Sequence, residues 1–244
     1  METGAHDSLI RHMQQRSVMF FAGSGISIES GLPSVPEILE STIGAFLPTR
    51  ATADSQWLTS IQPEVFYGAL LEVYDGNYET LGLWRALHPN WSHGSTGSDR
   101  PRPNIAHHMI VLYSFLVGVP VLTTNFDTMF EDACVELGLE FELRSHRDDP
   151  PGPLTPARSP VQVCKLHGSI SGPDGSYTPE DLRTTMVGIT AINEPWIRAI
   201  SDHLQELSIC FVGYSGRDID YFPAMASGVA KRPVFWMGVA ESPE

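Results

Sequence analysis

The sequence predicts an α/β protein built on a parallel β-sheet with helices on both of its faces. Short apolar runs, each long enough for a buried strand, alternate along the chain with longer segments of helical periodicity. Four of these runs end directly in polar or glycine-rich sequences. Ligands of open parallel sheets bind beyond the carboxyl ends of the strands. We therefore expect the four sequences to share one edge of a Rossmann-like sheet.

The apolar runs define the predicted strands, and the segments with apolar residues at helical spacing define the predicted helices. In chain order the strands occupy residues 17–22, 119–124, 140–144, 161–166, 208–212 and 233–237. The helices occupy residues 8–15, 36–47, parts of 56–87, 104–117, 126–137 and 194–207. Ser34 and Pro36 mark the start of the second helix, because serine and proline favour the first positions of a helix.

Stretches rich in proline, glycine and serine predict loops over residues 88–103 and 148–160, and residues 168–190 look irregular. The length of 244 residues allows one large domain. We expect a single domain over residues 1–244 with a helical insertion at about 36–103. We also expect this domain to be either the N-terminal part of a longer protein or a subunit that a partner activates.

The charge balance excludes several classes of function. Acidic residues outnumber basic ones 29 to 15, which gives a formal net charge of −14. Binding to nucleic acid or to an anionic membrane surface needs clustered lysine and arginine, so neither is expected. No apolar run approaches the roughly 20 residues of a membrane span, and the N-terminus lacks the apolar core of a signal peptide. Three cysteines without a CxxC pair indicate neither a disulfide framework nor a four-cysteine zinc site, so the cytoplasm is the expected compartment.

The first strand-end sequence is GSGISIESGLP, residues 23–33. Glycines at 23 and 25 would let the backbone approach a diphosphate at the start of a helix. A tight turn without a ligand explains the same glycines. The sequence departs from the dehydrogenase fingerprint GxGxxG, because position 28 is isoleucine, and no acidic residue follows at the distance expected for a ribose contact. A nicotinamide dehydrogenase is therefore disfavoured.

The other strand-end sequences are TTNFD, KLHGS and GYSGRD. Asn125 and Asp127 either cap the helix that follows or place an amide and a carboxylate at the sheet edge. His167 is either a structural histidine or a general base, since its ordinary pKa near 6.5 suits proton transfer at neutral pH. Gly213 and Ser215 form a turn that suits close ligand approach, and Asp218 is a candidate for a helix cap or a ligand contact.

Taken together, the four sequences resemble the motifs of the sirtuins, in the family's order. The family's GAGIS and SGIP correspond to residues 23–33, its TQNID to TTNFD, its LHGS to residues 166–169 and its GTS to residues 213–215. PNIAHH, before the second predicted strand, resembles the family's Pro-x-x-x-His helix start. The resemblance covers about residues 17–238. It implies the sirtuin fold and chemistry at the bond between nicotinamide and ribose of NAD+.

Departures from the family pattern indicate the branch. Sirtuin deacylases have a zinc module with two CxxC pairs after the His-Gly motif, whereas residues 168–192 contain no cysteine. The family's Asp-Phe-Arg after SGIP is replaced by Ser34-Val35-Pro36, so an arginine expected at the cofactor is missing. The GYSxxD form of the last motif resembles the zinc-less sirtuin-like domains of bacterial anti-phage systems. This branch destroys NAD+ rather than deacylating lysine, and no metal is expected.

The resemblance assigns a role to each matching position. Asp127 would hydrogen-bond the nicotinamide carboxamide, Asn125 would position the ribose or the attacking water, and His167 would accept a proton. The products would be nicotinamide and ADP-ribose, or cyclic ADP-ribose. The expected NAD+-binding residues are Gly23, Ser24 and Gly25 at the diphosphate, Gly213, Ser215 and Asp218 at the adenosine half, and Ser27, Pro33 and Thr124 in the same motifs.

The resemblance also implies an effector in anti-phage defence that assembles as a homo-oligomer or with an activating partner, such as an Argonaute-type or other phage sensor. Two alternatives remain open at the level of sequence. One is a zinc-independent NAD-dependent deacylase or ADP-ribosyltransferase. The other is a non-enzymatic sensor of NAD+ or ADP-ribose, against which the presence of Asn125, Asp127 and His167 argues, since binding alone does not require that trio.

Overall fold

The computed structural model describes residues 3–46, 62–73, 101–152, 154–170, 182–183, 194–216, 221–222 and 232–238. Within these residues the helices are α1 (Thr3–Gln14), α2 (Val35–Phe46), α3 (Pro63–Val73), α4 (Ile105–Val117), α5 (Met129–Glu136) and α6 (Glu194–Glu206). A 3₁₀ helix covers Ser24–Ser30. The strands are β1 (Val18–Ala22), β2 (Val121–Thr123), β3 (Phe141–Ser145), β4 (Val161–Lys165), β5 (Ser208–Val212) and β6 (Val234–Met237).

The six described strands form one sheet in which every neighbouring pair is parallel. Their order is β3-β4-β2-β1-β5-β6. From β1 the chain first builds the side that contains β2, β3 and β4, and then crosses to the opposite side with β5 and β6. The direction of building therefore reverses between β1 and β5, which is the switch point where open sheets of this type bind ligands. The predicted parallel α/β architecture is confirmed.

Helices cover both faces of the sheet. Along β1, Val18 and Phe20 face a core that includes Leu9 of α1 and Ile110 of α4. The alternate residue Met19 faces a second core, which α6 fills. This alternation explains why the strands are continuously apolar, since each residue in turn is buried against one of two helical layers. In the described ranges no helix is long and apolar enough to cross a membrane.

The predicted element boundaries hold to within a few residues, and the differences have local causes. β2 begins at Val121 rather than 119, next to Pro120, which has no N–H to donate to the sheet. α5 begins at Met129 rather than 126, because the Asp127 side chain accepts the amide hydrogen of Met129 from outside the helix. α1 begins at Thr3, five residues earlier than expected.

The described parts of the predicted insertion are helical and pack beside the carboxyl edge of the sheet. Glu37 Oε2 accepts hydrogen bonds from both the backbone N–H and the hydroxyl of Ser34, each at 2.7 Å, at the start of α2. The apolar faces of α2 and α3 form a third core with two residues that follow β4, Ile170 and Leu182. Residues 47–61 and 74–100 lie outside the described residues, so the bounds of the insertion stay a prediction.

The three cysteines are fully buried free thiols, one on α5, one on β4 and one on β5. Burial raises the pKa of Cys134, Cys164 and Cys210 to about 12 in each case. The thiolate is the reactive form of cysteine, and it is almost absent near neutral pH at such pKa values.

We expect no thiol of the folded protein to react with a disulfide reagent such as DTNB at pH 8, and all three to react in denaturant. The absorbance of the released thiolate measures the number of reacted groups. Rapid reaction of even one thiol under native conditions would contradict the burial of these cysteines.

Candidate functional site

The strand register brings the four predicted motifs to one edge of the sheet. Ala22, the last residue of β1, pairs with Thr123 of β2 and with Val212 of β5. Thr123 in turn pairs with Lys165 at the end of β4. All four strands thus end at the same level. Asn125 and His167 each lie two residues beyond a paired position, on adjacent strands whose backbones are about 4.8 Å apart.

The turns after β1 and β5 pack directly against each other. The amide of Gly25 donates a hydrogen bond of 2.8 Å to the carbonyl of Gly213, and the amide of Gly23 donates one of 3.0 Å to Val212. Gly213 has a φ of 60°, and a β-carbon there would lie 2.2 Å from the backbone nitrogen of Ile26. A β-carbon on Gly25 would lie 2.7 Å from the Gly213 carbonyl oxygen. The glycines are therefore required by the contact between the two turns.

This contact also uses the amides that were expected to hold a diphosphate. The N–H groups of Gly23 and Gly25 donate to carbonyls of the β5 turn in this structure. Of the three residues predicted at the diphosphate, Ser24 is the exposed one. A tight turn thus accounts for the two glycines, and a diphosphate contact in this loop stays a prediction.

The Ser27 hydroxyl is the centre of a buried hydrogen-bond network. Its oxygen lies 3.0 Å from Oδ2 of Asp127, 3.3 Å from Nε2 of His107 and 3.3 Å from Nδ2 of Asn125. The single hydroxyl proton is donated to the carboxylate, which is the nearest acceptor. The oxygen then accepts from the imidazole and the amide. One donated and two accepted bonds are the full capacity of a serine hydroxyl.

His107 is held in the neutral form that this network needs. Its Nδ1 lies 3.3 Å from the backbone nitrogen of Asn104 and 3.0 Å from Asn104 Oδ1. Because the Ser27 proton goes to Asp127, the ring proton lies on Nε2 and points at Ser27. Burial lowers the pKa of His107 to about 4, against the opposing effect of the nearby Asp127 carboxylate. Near neutral pH the ring is therefore uncharged, with a donor facing the site.

Asn104 attaches the start of α4 to the first motif. Its Oδ1 accepts from the amides of Ala106 and His107, which caps the helix. Its Nδ2 donates a hydrogen bond of 2.7 Å to the carbonyl of Ile26. The position of His107 relative to Ser27 is thus fixed by the cap that starts its own helix.

Both carboxylate oxygens of Asp127 are bound within the protein. Oδ1 accepts from the amide of Met129 at the start of α5, and Oδ2 accepts from Ser27, each at 3.0 Å. A negative charge is favourable at a helix N-terminus. Each oxygen keeps a further lone pair, so the cap and a ligand contact, which the sequence left as alternatives, are compatible for Asp127.

Asn125 has an amide oxygen without a partner. The side chain is 5% exposed, its Nδ2 donates to Ser27, and its backbone amide donates to the Thr123 hydroxyl. Among the described residues no donor reaches Oδ1. A buried acceptor without a hydrogen bond costs about 1–3 kcal/mol. Such an atom at the edge of the sheet indicates a ligand or water that donates to it.

His167 is buried at the end of β4, with 6% of its surface exposed. Its backbone carbonyl accepts from the amide of Arg183 at 2.8 Å. Its ring lies 6.0 Å, between centroids, from the ring of Tyr221. The backbone of His167 thus follows β4 next to the loop that holds Asn125 and Asp127, and its ring faces Tyr221.

A buried ion pair lies beneath that loop. Lys165 is fully buried, and its Nζ lies 2.7 Å from Oε1 of Glu131 on α5. The ammonium also donates to the carbonyl of Asp127 and, at 3.5 Å, to the carbonyl of Phe126. The ammonium thus combines one ion pair with hydrogen bonds to two backbone carbonyls. Burial raises the pKa of Glu131, and the ammonium of Lys165 opposes this shift.

For the remaining predicted residues, the structure shows only backbone bonding or exposure. Thr124 donates its amide to the carbonyl of Ala22, so its backbone belongs to the sheet edge. Pro33 is half-buried and Ser215 is exposed. Asp218 lies outside the described residues. Their predicted contacts with NAD+ stay predictions.

Sequence analysis missed three residues of this site: His107, Glu131 and Lys165. His107 lies in PNIAHH, which was noted only as a helix start. Lysine inside the apolar run VQVCKL was a signal for Lys165, because a lysine is almost never fully buried unless it is paired. Nothing in the local sequence identifies Glu131 as its partner, since the pairing depends on how α5 packs on β4.

No group of three metal-ligating side chains occurs within the ranges that the structure describes. The prediction that no metal takes part is untested.

The comparison with family models agrees with the motif resemblance. Residues 119–233 match the family model described as the SIR2-like domain, a range with three of the four motifs. A crystal structure of a Sir2 homolog–NAD complex is similar, with a TM-score of 0.49 and 16% identity, covering 97% of this chain and 84% of that chain. No curated protein matches the chain. The sheet and its edge define a Rossmann-like α/β protein. Within that class, residues 119–233 are similar in sequence to the SIR2-like domain.

The Ser27 network yields a prediction about stability. Replacing Ser27 with alanine should lower the free energy of unfolding by about 1–3 kcal/mol, because Asp127 and Asn125 lose a buried partner. Urea denaturation measures this loss. The matched control is Ser24→Ala, an exposed serine of the same motif, for which we expect a change within about 0.5 kcal/mol. Equal effects of the two substitutions would contradict the network.

The depressed pKa of His107 predicts how stability depends on pH. In the unfolded chain histidine takes up a proton below its ordinary pKa of 6.5, whereas in the folded protein it does so only below about 4. The unfolded state thus binds more protons between these values, and stability falls as the pH drops through this window, on the order of 2–3 kcal/mol.

Urea denaturation between pH 7 and 4 checks this dependence in wild type and in His107→Gln. Burial also lowers the pKa of His203, so in both proteins the free energy of unfolding still depends on pH through that residue. The difference between the two slopes against pH gives the contribution of His107. Identical slopes would mean that folding does not lower the pKa of His107, which would contradict its burial in the neutral form.

Proposed function

We propose that this protein binds NAD+ and hydrolyses the bond between nicotinamide and ribose, releasing nicotinamide and ADP-ribose. The observation that supports this most directly is the buried Oδ1 of Asn125, which has no hydrogen-bond partner among the described residues. Asn125 and His167 follow adjacent strands. An amide oxygen needs a donor, and both a ribose hydroxyl and an attacking water are O–H donors.

The fixed orientation of the Asn125 amide supports the assignment. Ser27 holds Nδ2, so Oδ1 is presented without a rotation of the side chain. Preorganised groups of this kind lower a barrier because they need no rearrangement during the reaction. A carboxamide whose Nδ2 is held and whose Oδ1 can still accept a hydrogen bond suits the positioning of a small polar group.

The proposed step uses His167 as the general base. Water loses a proton to the imidazole, directly or through a ribose hydroxyl, and its oxygen bonds to the anomeric carbon. The bond from that carbon to the nicotinamide nitrogen breaks, and its electron pair goes to the leaving group. Asp127 hydrogen-bonds the nicotinamide carboxamide with a remaining lone pair.

The charges of the described site suit this reaction. The carboxylates of Asp127 and Glu131 and the ammonium of Lys165 sum to one net negative charge, while His107 is neutral near pH 7. Positive charge develops on the ribose as the glycosidic bond breaks. A negative environment favours such a transition state.

The proposed biological role is the depletion of NAD+ in anti-phage defence, by a homo-oligomer or with an activating protein partner. Its support is the departure from the deacylase pattern at Ser34-Val35-Pro36 and the absence of cysteine over residues 168–192. Activity assays should therefore include the products of neighbouring genes as activators.

We expect His167→Ala and Asn125→Ala each to lower nicotinamide release from NAD+ by about 10²–10⁴-fold, since this is the usual contribution of a positioned acid–base group. Chromatography measures the release. His12→Ala is the matched control, because His12 contacts Ser17 and Ser208 at the opposite edge of the sheet. This control should keep wild-type activity.

Three results would replace the proposal. Release that depends on an added acetyl-lysine peptide would indicate a deacylase or transferase. NAD+ binding by calorimetry without turnover under every activating condition would indicate a sensor. Full activity in either alanine variant would remove that residue from the reaction.

A further inference from the structure

We infer that Lys165 is a positioning residue of this site. Its ammonium binds backbone carbonyls of the loop that contains Asn125 and Asp127, and thereby holds that loop in place. This inference rests on the proposed function and extends it to a residue that contacts no substrate. The observation behind it is that a fully buried lysine donates to two consecutive carbonyls of that loop.

The loop has few other attachments to β4. Its described backbone contacts are the amide of Ile170 on the Phe126 carbonyl, at 3.0 Å, and the amide of Leu166 on the carbonyl of Thr123, at 2.9 Å. Both involve residues outside Asn125 and Asp127. The carbonyl of Asp127 is bound by Lys165. The ammonium thus lies at the point where the backbone leaves β2 and turns into α5.

Glu131 makes this arrangement possible without itself contacting the loop. An uncompensated buried ammonium is strongly unfavourable, and the Glu131 carboxylate 2.7 Å away provides the opposite charge. The two members of the pair therefore have different tasks. Glu131 neutralises charge, whereas Lys165 both carries the charge and donates to the loop.

This difference provides the test. Glu131→Gln and Lys165→Met each break the ion pair, and both should lower the thermal midpoint of unfolding. Glu131→Gln keeps the ammonium on the two carbonyls, whereas Lys165→Met removes all donors. If Lys165 positions the loop, kcat for nicotinamide release should fall about 10–100-fold in Lys165→Met, with KM within about threefold, and change less than threefold in Glu131→Gln. A merely structural ion pair would affect both variants alike.

A double variant covers the case in which Lys165→Met does not fold. Lys165→Met combined with Glu131→Leu replaces the pair by apolar side chains of similar size, which is often neutral for stability. We expect its thermal midpoint within about 5 °C of wild type and its kcat still lowered about 10–100-fold. Recovery of activity together with stability would overturn the inference. Glu136→Gln, which breaks an exposed pair on the same helix, is the control and should match wild type.

Hydrogen exchange separates this inference from the proposed function. The amides of residues 125–128 should exchange at least 10-fold faster in Lys165→Met or the double variant than in wild type, and near the wild-type rate in Glu131→Gln. This readout needs no turnover. If wild type released no nicotinamide, the proposed function would fail while exchange would still decide the role of Lys165. Unchanged exchange in the lysine variants would overturn it.

Discussion

The candidate site depends on the single proton of the Ser27 hydroxyl. Because that proton is donated to Asp127, the imidazole of His107 and the amide of Asn125 must both act as donors to the same oxygen. The three hydrogen bonds of this hydroxyl connect the turn after β1, the start of α4 and the loop after β2. It also decides that the Nδ2 end of the Asn125 side chain is bound, and therefore that Oδ1 is the atom without a partner among the described residues.

The neutral hydrogen-bonding groups of this site and its buried ion pair occupy different places. The neutral groups Ser27, His107 and Asn125 lie on one side of the loop after β2, and the ion pair of Lys165 with Glu131 lies beneath it. Asp127 belongs to both layers, since its carboxylate binds Ser27 and its carbonyl binds Lys165. The Asp127 carboxylate, just before α5, raises the pKa of Glu131, and the ammonium of Lys165 opposes this effect.

The parts of the site that follow from topology were predictable from sequence, and the parts that follow from packing were not. Asn125 and His167 follow apolar runs, so a parallel sheet alone brings them to one edge. His107 and Lys165 lie inside elements, where a residue type is normally interpreted as part of the structure. Lys165 is buried only because Glu131 reaches it from a helix distant in sequence, and no local pattern encodes that meeting. The composition of the first motif was recognised, whereas the reason for its glycines required the neighbouring turn.

The β2–β4 half and the β1–β5 half of this sheet edge are consequently held together by different kinds of contact. Around β2 and β4, side chains hold one another through directed hydrogen bonds and one buried ion pair, so a change of one atom alters which donor or acceptor faces the site. Around β1 and β5, backbone contacts backbone at Gly25 and Gly213, where no β-carbon fits. The first half can vary its chemistry without moving the sheet, because its polar atoms belong to side chains. The second half fixes how closely the turns after β1 and β5 approach each other, because its contacts are between backbone atoms.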